Sequence, residues 1–197
     1  MRRTSTLADE ELVRKYAKGD NNAFDILLTR YKEKLYSYIY FIVHNEELAN
    51  DLFQETFIKA IMAIQQGRYT ESSRFSAWIT RIAHNLIIDQ FRQEKNENLI
   101  SNDESEGLLL NNAQFSDSTI EMKMITDQSL IDVQRLMNEL PDNQREVVYM
   151  RFYQGLDFKE IAEITGVSIN TALGRMRYAI LNMRRMVQQR NISLTVY

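Results

Sequence analysis

The C-terminal quarter of the chain carries polar and cationic side chains at positions that suit contact with a nucleic acid. They follow a short turn and fall in the first two to three turns of a predicted helix. Hydroxyl, amide and guanidinium groups near a helix N-terminus hydrogen-bond phosphates and base edges. This set therefore indicates a helix that reads a DNA groove. It consists of Ser168, Asn170, Thr171, Arg175 and Arg177.

Two glycines divide the surrounding region into the elements of a helix-turn-helix. An apolar-periodic segment ends at Gly155, a segment of about two turns starts after Asp157, and Gly166 precedes a longer helix with Ser168 as its expected N-cap. A short helix, a turn containing glycine and a second helix are typical of this DNA-binding motif. A helical hairpin that serves only for packing is the alternative.

The distribution of charge favours DNA binding. No acidic residue follows Glu163, so the second helix is cationic although the whole chain has a net charge of −3. The arginines near the end of that helix, Arg184, Arg185 and Arg190, can be explained as complements to the helix dipole. Arg175 and Arg177 lie near its start, where that explanation does not apply.

Composition predicts an all-α protein. The chain has 197 residues with one proline, six glycines and no cysteine, which favours helices throughout and allows one large or two small domains. The lack of cysteine excludes a disulfide-stapled fold and thiolate metal sites, and it fits a reducing cytoplasm. The charged N-terminal residues predict neither a signal peptide nor a membrane span.

Four amphipathic helices are expected in the first half of the chain. The first is capped by Asp9 and stops before Gly19, and the others cover residues 23–43, 46–66 and 76–93. The third helix has a charged edge containing Asp51, Gln54 and Glu55. A charged edge is usually only a solvated face, so these residues alone would not indicate a function.

The loop before the fourth helix and one side of that helix combine aromatic, cationic and amide side chains. Rings and guanidinium planes stack on unpaired bases, and amides read base edges, so this side is a candidate site for single-stranded nucleic acid. The aromatic residues are also at helical spacing and could instead be core residues. The candidates are Arg74, Phe75, Trp78, Arg81, Asn85 and Arg92.

An acidic segment divides the chain into two predicted domains. Residues 96–120 are rich in Asp, Glu, Asn and Ser and are expected to form a flexible linker between an N-terminal helical bundle (1–95) and a C-terminal helix-turn-helix domain (121–197). The linker can be a solvated spacer or an acidic strand that occupies a basic channel in a partner. It would also permit the domains to pack together and hide both DNA surfaces.

Residue patterns expected of an enzyme are missing from the sequence. The two histidines, His44 and His84, are far apart, and there is no paired-His metal motif, nucleophile elbow or glycine-rich phosphate loop. We therefore expect no catalytic activity, no metal, no cofactor and no small-molecule substrate.

Four motifs in order give the chain a recognisable family resemblance. They are residues 51–57 (DLFQETF), residues 75–85 (FSAWITRIAHN), Leu140-Pro141 followed by residues 144–147 (QREV), and the helix-turn-helix. Together they closely resemble the bacterial RNA polymerase sigma factors of the extracytoplasmic-function (ECF) type. Each motif alone would be weak, but the resemblance covers nearly the whole chain.

The resemblance implies a partner for each surface. The edge with Asp51, Gln54 and Glu55 would dock on the clamp of the polymerase β′ subunit. The Arg74 to Arg92 side would melt the −10 promoter element and hold its non-template strand, while the helix-turn-helix would read the −35 element as duplex and its domain would contact the β flap. Core RNA polymerase, promoter DNA and an anti-sigma factor are thus the implied partners.

Two parts of the sequence depart from the family pattern. The start of the recognition helix reads Thr-Ala-Leu-Gly-Arg at residues 171–175 where many members have Thr-Val-Lys/Arg-Ser-Arg, so a −35 preference does not transfer from relatives. His84 stands where arginine is common.

Two functions from other classes compete with this interpretation. A transcriptional regulator would use the helix-turn-helix alone and dimerise on symmetric half-sites. A helical adaptor would bind neither DNA nor polymerase, and its affinities would lack a steep salt dependence.

Overall fold

The structure of the protein is a computed structural model that describes residues 7–69, 74–101 and 128–190. All regular elements in these ranges are α-helices, as composition predicts. The predicted linker falls mostly on residues 102–127, which lie outside the described ranges. None of the helices described is long and apolar enough to cross a membrane.

The first four helices form an N-terminal bundle. They are α1 (Asp9–Ala17), α2 (Asn21–Val43), α3 (Glu46–Gln65) and α4 (Phe75–Ser101). Helix α2 contacts each of the other three, and its apolar side supplies much of the buried core. Burial of these side chains is the main favourable contribution to the stability of the bundle. The fully buried residues include Leu12, Leu27, Leu35, Tyr38, Ile39, Ile79 and Ile87.

Two expected helix ends differ in the structure. Ala8 occupies the N-cap position of α1, so the prediction that Asp9 caps this helix is wrong. The carboxylate of Asp9 instead accepts hydrogen bonds from Arg30, with an Nη1–Oδ1 distance of 2.6 Å, and from the Tyr31 hydroxyl. Helix α4 continues to Ser101, eight residues beyond its expected end, because the acidic composition that suggested a linker does not by itself stop a helix.

The C-terminal helices pack around the last one. Helices α5 (Gln128–Asn138), α6 (Asp142–Phe152) and α7 (Phe158–Thr165) all contact α8 (Ile169–Gln189). This arrangement encloses a second set of buried apolar residues, which includes Leu136, Val147, Met150, Leu156, Ile161 and Ala172.

The helix-turn-helix predicted from the sequence is confirmed in α7 and α8. Asp157 and Glu160 form a capping box at the start of α7, and Gly166 ends it in the left-handed region with φ of +67°. Ser168 caps α8 by accepting a hydrogen bond from the Thr171 backbone N–H at 3.1 Å. The three-residue turn therefore fixes the direction in which α8 leaves α7.

The two domains pack against each other. Helix α6 contacts α2, and α7 contacts α4. The rings of Phe41 and Tyr149 stack with centroids 4.5 Å apart, and the Gln154 side-chain amide donates to the Lys34 carbonyl at 2.6 Å. Burial at this junction raises the pKa of Tyr149 to about 12. Most of the buried apolar residues of both domains consequently belong to one continuous core.

Substitution by alanine is predicted to have opposite effects on the free energy of unfolding at two glycines of the helix-turn-helix. Gly166→Ala forces a side chain into the left-handed region and should lower the free energy of unfolding by about 1–2 kcal/mol. Gly174 lies within α8, and a Cβ there meets no atom within 4 Å. Gly174→Ala should therefore raise the free energy of unfolding by about 0.5–1 kcal/mol.

Urea denaturation of the full chain measures both changes. Equal effects of the two substitutions would contradict the described geometry of this motif.

Candidate nucleic-acid interface

Five of the predicted single-strand candidates form one stripe along α4. Arg74 immediately precedes the helix, and Trp78, Arg81, Asn85 and Arg92 follow at spacings that repeat on one helical face. Arg74, Arg81, Asn85 and Arg92 are exposed, whereas Trp78 is half-buried. These five residues form the α4 stripe. It combines cations, an amide and an indole in the way that a site for unstacked bases requires.

Phe75 does not belong to this surface. Its side chain is fully buried, with ring centroids 5.2 Å from Tyr31 and 5.6 Å from Trp78. The expectation that Phe75 stacks on a base does not fit this burial, because its ring has no face open to a ligand. It instead packs against Trp78, whose ring is also nearly perpendicular to that of Tyr69, with centroids 4.9 Å apart.

Carboxylates of α7 lie against the first half of the α4 stripe. The Arg74 guanidinium donates from Nε to Glu160 at 2.7 Å and from Nη2 to the second oxygen of the same carboxylate. This bidentate hydrogen bond raises the pKa of Arg74. Arg81 donates to the Glu163 backbone carbonyl at 3.0 Å, and its guanidinium lies 3.9 Å from the Glu163 carboxylate.

A third carboxylate, that of Glu146 on α6, reaches into the N-terminal bundle. Its Oε1 lies 2.9 Å from the Tyr38 hydroxyl and 2.8 Å from His84 Nδ1. Both partners are buried in the bundle. Burial, followed by the charge of Glu146, raises the pKa of the Tyr38 phenol. Sequence analysis missed this junction, although QREV and His84 had both been noted, because neither identifies the other as its partner.

The start of α8 remains open to solvent in this arrangement. Ser168, Asn170, Thr171 and Arg177 are exposed, and Arg175 is partly buried. Within the described residues neither Arg175 nor Arg177 is paired with a carboxylate. The five residues predicted for duplex contact thus lie in the first three turns of α8, with Ser168, Thr171 and Arg175 on one side of the helix and Asn170 and Arg177 on the other.

The predicted charged edge of α3 is exposed and contains more than charge. Asp51, Gln54 and Glu55 are all exposed, and Glu55 pairs with Lys59 at 3.1 Å. Ile58 and Met62 continue this surface and are 55% and 48% exposed. The sequence could have indicated Ile58 and Met62, because both are apolar residues that fall outside the repeat of buried positions in α3. A mixed apolar and acidic edge suits a protein partner.

Metal-binding clusters were not expected from the sequence. In the described ranges, no three His, Asp or Glu side chains are grouped so as to hold a metal ion.

Comparison with known proteins decides the family. The model of Sigma-70 region 2 matches residues 27–97, and that of Sigma-70 region 4 matches residues 130–175. The chain is 30% identical over 174 residues to the ECF sigma-E factor of Salmonella typhimurium (strain LT2), with 86% of this chain and 89% of the relative covered. The chain belongs to the ECF RNA polymerase sigma factors. The family resemblance noted in the sequence is thus confirmed, and the chain acts in promoter-specific initiation of transcription.

Other relatives and solved structures agree with this family. SigM of Bacillus subtilis (strain 168) is 30% identical over 144 residues, covering 73% of this sigma factor and 82% of SigM. The structure of CnrH in complex with the cytosolic domain of CnrY has a TM-score of 0.63 at 22% identity, covering 93% of this chain and 99% of CnrH. The structure of RpoE of Bartonella quintana in complex with the anti-sigma factor NepR has a TM-score of 0.61 at 22% identity, covering 84% of this chain and 96% of RpoE. These two structures confirm the two-domain helical fold.

The burial of Phe75 predicts that this residue stabilises the fold, whereas an exposed residue of the same helix does not. Phe75→Ala should lower the free energy of unfolding by about 3–5 kcal/mol, because it leaves a cavity in the aromatic cluster. Arg92→Ala, at an exposed position of the same helix, should change the free energy of unfolding by no more than about 0.5 kcal/mol.

Urea denaturation of the full chain compares the two variants. A Phe75→Ala variant as stable as the wild type would show that the ring does not fill the core.

Proposed function

We propose that this sigma factor binds core RNA polymerase through α3, captures the opened −10 strand on the α4 stripe and reads the −35 duplex with α8. The observation that carries the proposal is that the two domains of the chain present different surfaces. One carries an aromatic and cationic stripe, and the other presents an exposed, capped helix-turn-helix. The match to sigma region 2, residues 27–97, falls in the first domain, and the match to region 4, residues 130–175, falls in the second.

Strand capture on α4 follows from the chemistry of the stripe. Trp78 offers an indole supported from behind by Tyr69 and Phe75, while the arginines supply charge for the phosphates and Asn85 supplies an amide for a base edge. Unstacking costs a few kcal/mol, and each base stacked on a protein ring returns about 1–3 kcal/mol. Melting is therefore driven by binding energy and needs no catalytic residue.

Duplex reading by α8 is supported by its exposed N-terminus. The N–H groups of the first turn and the side chains of Ser168, Asn170 and Thr171 suit phosphate and base contacts. Arg175 lies one turn further on and is partly buried, and its guanidinium is not paired with a carboxylate among the described residues. A guanidinium of this kind suits bidentate hydrogen bonds to guanine.

The partners proposed for the remaining surfaces are proteins. The α3 edge would dock on the β′ clamp, and the C-terminal domain on the β flap. CnrH is solved in complex with CnrY, and RpoE with the anti-sigma factor NepR. An anti-sigma factor is proposed as a partner of this chain also. The proposed place of action of the chain is the cytoplasm, where the polymerase and promoter DNA are found.

The decisive experiment adds the purified chain to core polymerase and measures initiation on promoters selected from a randomised DNA library. Enrichment of promoters with two separated elements is the expected result. A chain that selects symmetric half-sites without polymerase would instead be a dimeric regulator. A chain that binds neither polymerase nor DNA would be a helical adaptor.

The α3 edge predicts loss of polymerase binding on substitution. The double variant Gln54→Ala/Glu55→Ala should bind core polymerase at least about 10-fold more weakly, because loss of one interface hot spot costs about 2 kcal/mol or more and a factor of ten corresponds to about 1.4 kcal/mol. Glu33→Ala removes an exposed carboxylate from α2 and should bind normally. Quantitative co-sedimentation with core polymerase measures both, and equal binding by the double variant and the wild type would remove α3 from the proposed interface.

The α8 surface predicts a position-dependent effect of arginine removal. Arg175→Ala should weaken binding of the holoenzyme to its selected promoter by about 1–3 kcal/mol if the guanidinium contacts a base edge. Arg184→Ala removes the same charge from an exposed position more than two turns further along α8 and should have a smaller effect. Gel-shift titration at fixed salt compares the two. Equal losses would indicate a general electrostatic effect instead of a groove contact.

A further inference from the structure

We infer that the C-terminal domain of the free sigma factor closes over the α4 stripe and competes with the promoter strand for Arg74 and Arg81 of that stripe. This inference rests on the proposed role of the stripe in binding the −10 strand. It assigns to three carboxylates of α6 and α7 a regulatory function within the chain itself. These are Glu146, Glu160 and Glu163.

The contacts occupy the groups that DNA would need. Arg74 is bound through two of its guanidinium nitrogens to the Glu160 carboxylate, and Arg81 is bound to the backbone carbonyl of Glu163 with its carboxylate at 3.9 Å. A carboxylate presents two anionic oxygens to a guanidinium much as a phosphate does. The same nitrogens of Arg74 therefore cannot contact a phosphate until Glu160 has moved away.

Glu160 is held in place by its own helix. One of its oxygens accepts a hydrogen bond from the Asp157 backbone N–H at 2.8 Å, which is half of the capping box of α7. The exposed fraction of its side chain is 12%, compared with 54% for Arg74. A carboxylate already fixed by its helix loses little conformational freedom when it binds the arginine, so this pair is stronger than an ordinary surface ion pair.

Glu146 anchors the closed arrangement at its buried end. Its carboxylate accepts from the Tyr38 hydroxyl and, with a hydrogen on Nδ1, from His84. The side chains of His84 and Glu146 are only 11% and 17% exposed. Separation of the domains leaves both bundle residues without this partner until water replaces it. His84 thus has a role in domain closure at a position where the family commonly has arginine.

Closure masks only part of the DNA-binding surface. Asn85 and Arg92 on α4 remain exposed, as do Ser168, Asn170 and Thr171 on α8. Packing of the domains therefore does not hide the two DNA surfaces: α8 stays exposed, and on α4 the contacts occupy hydrogen-bond donors of Arg74 and Arg81 while these side chains remain 54% and 47% exposed. A free chain in this state should bind the opened −10 strand poorly, because its apparent affinity falls in proportion to the fraction of open molecules.

The test uses two variants that remove charge and keep the shape of the side chain. Glu160→Gln retains an oxygen for the Asp157 N–H, and Glu146→Gln retains one for Tyr38 and His84, so the helices should remain folded. Glu139→Gln is the matched control, because Glu139 forms a similar bidentate pair with Arg190 inside the C-terminal domain. It lowers the negative charge of that domain without affecting the domain junction.

Interdomain distance in the free chain is the first measurement. Because the chain has no cysteine, Lys18→Cys and Gln188→Cys place two spin labels selectively on exposed sites of the two domains. The free parent chain should give one narrow distance distribution. The Glu146→Gln/Glu160→Gln chain should give a broader and longer one, and Glu139→Gln should not change it. A broad distance distribution for the parent chain, or a narrow one for the double variant, would overturn the inference.

Strand binding by the same free chains is the second measurement. The probe is a labelled single-stranded oligonucleotide carrying the non-template −10 sequence of a promoter obtained in the initiation assay. The double variant should bind it about 10-fold more tightly than the wild type, as expected if closure holds about nine molecules in ten. Glu139→Gln should bind like the wild type. An equal gain in the control, or no gain in the double variant, would contradict competition by these carboxylates.

Initiation with core polymerase separates this inference from the proposed function. If the double variant and the wild type both initiate on the selected promoters but their free chains do not differ in strand binding, the sigma function stands and the inference fails. If neither initiates while the distance change is observed, the domains close as described but the proposed function fails, and with it the regulatory meaning of closure.

Discussion

The carboxylate of Glu146 constrains the arrangement of the whole molecule. A carboxylate removed from water is costly unless hydrogen bonds and opposite partial charges replace its hydration. The groups that do so, the Tyr38 hydroxyl and His84 Nδ1, belong to the other domain and are themselves buried. The orientation of α6 is consequently tied to that of α2 and α4. The stacked rings of Phe41 and Tyr149 complete the junction on its apolar side.

The position of α6 in turn determines what α7 presents to the N-terminal domain. The chain turns at Gly155, and Asp157 caps α7, so the capping box lies next to Arg74 before the start of α4. The same geometry leaves the first turn of α8 on the open side of the molecule. A single helix-turn-helix therefore places carboxylates against one predicted DNA surface and polar and cationic groups on another.

The aromatic cluster around Trp78 has a comparable double role. Phe75 and Tyr69 hold the indole at the boundary between the core and the surface. A half-buried ring of this kind is already ordered, so a base that stacks on it does not have to immobilise it. The burial of Phe75 is thus part of the construction of the candidate site, although its ring does not face a ligand.

Much of the fold followed from the sequence alone. Periodicity, glycine punctuation and the caps at Asp157 and Ser168 predicted the helices and the helix-turn-helix, because these signals act within a few residues and depend little on tertiary context. The stripe on α4 and the edge of α3 followed from helical spacing. Where local signals were weak, as at Asp9 and after residue 93, the predicted helix ends were wrong.

Only the tertiary structure decided which side chains meet across the domains. Periodicity identifies the apolar side of a helix, but it does not reveal which distant carboxylate lies opposite a given arginine. Glu146 is separated from Tyr38 by 108 residues, and Glu160 from Arg74 by 86. The inward direction of Phe75 was open for the same reason, since an aromatic residue at the start of a helix suits either a core or a ligand. Such pairings depend on how complete domains dock, which is a property of their combined surfaces.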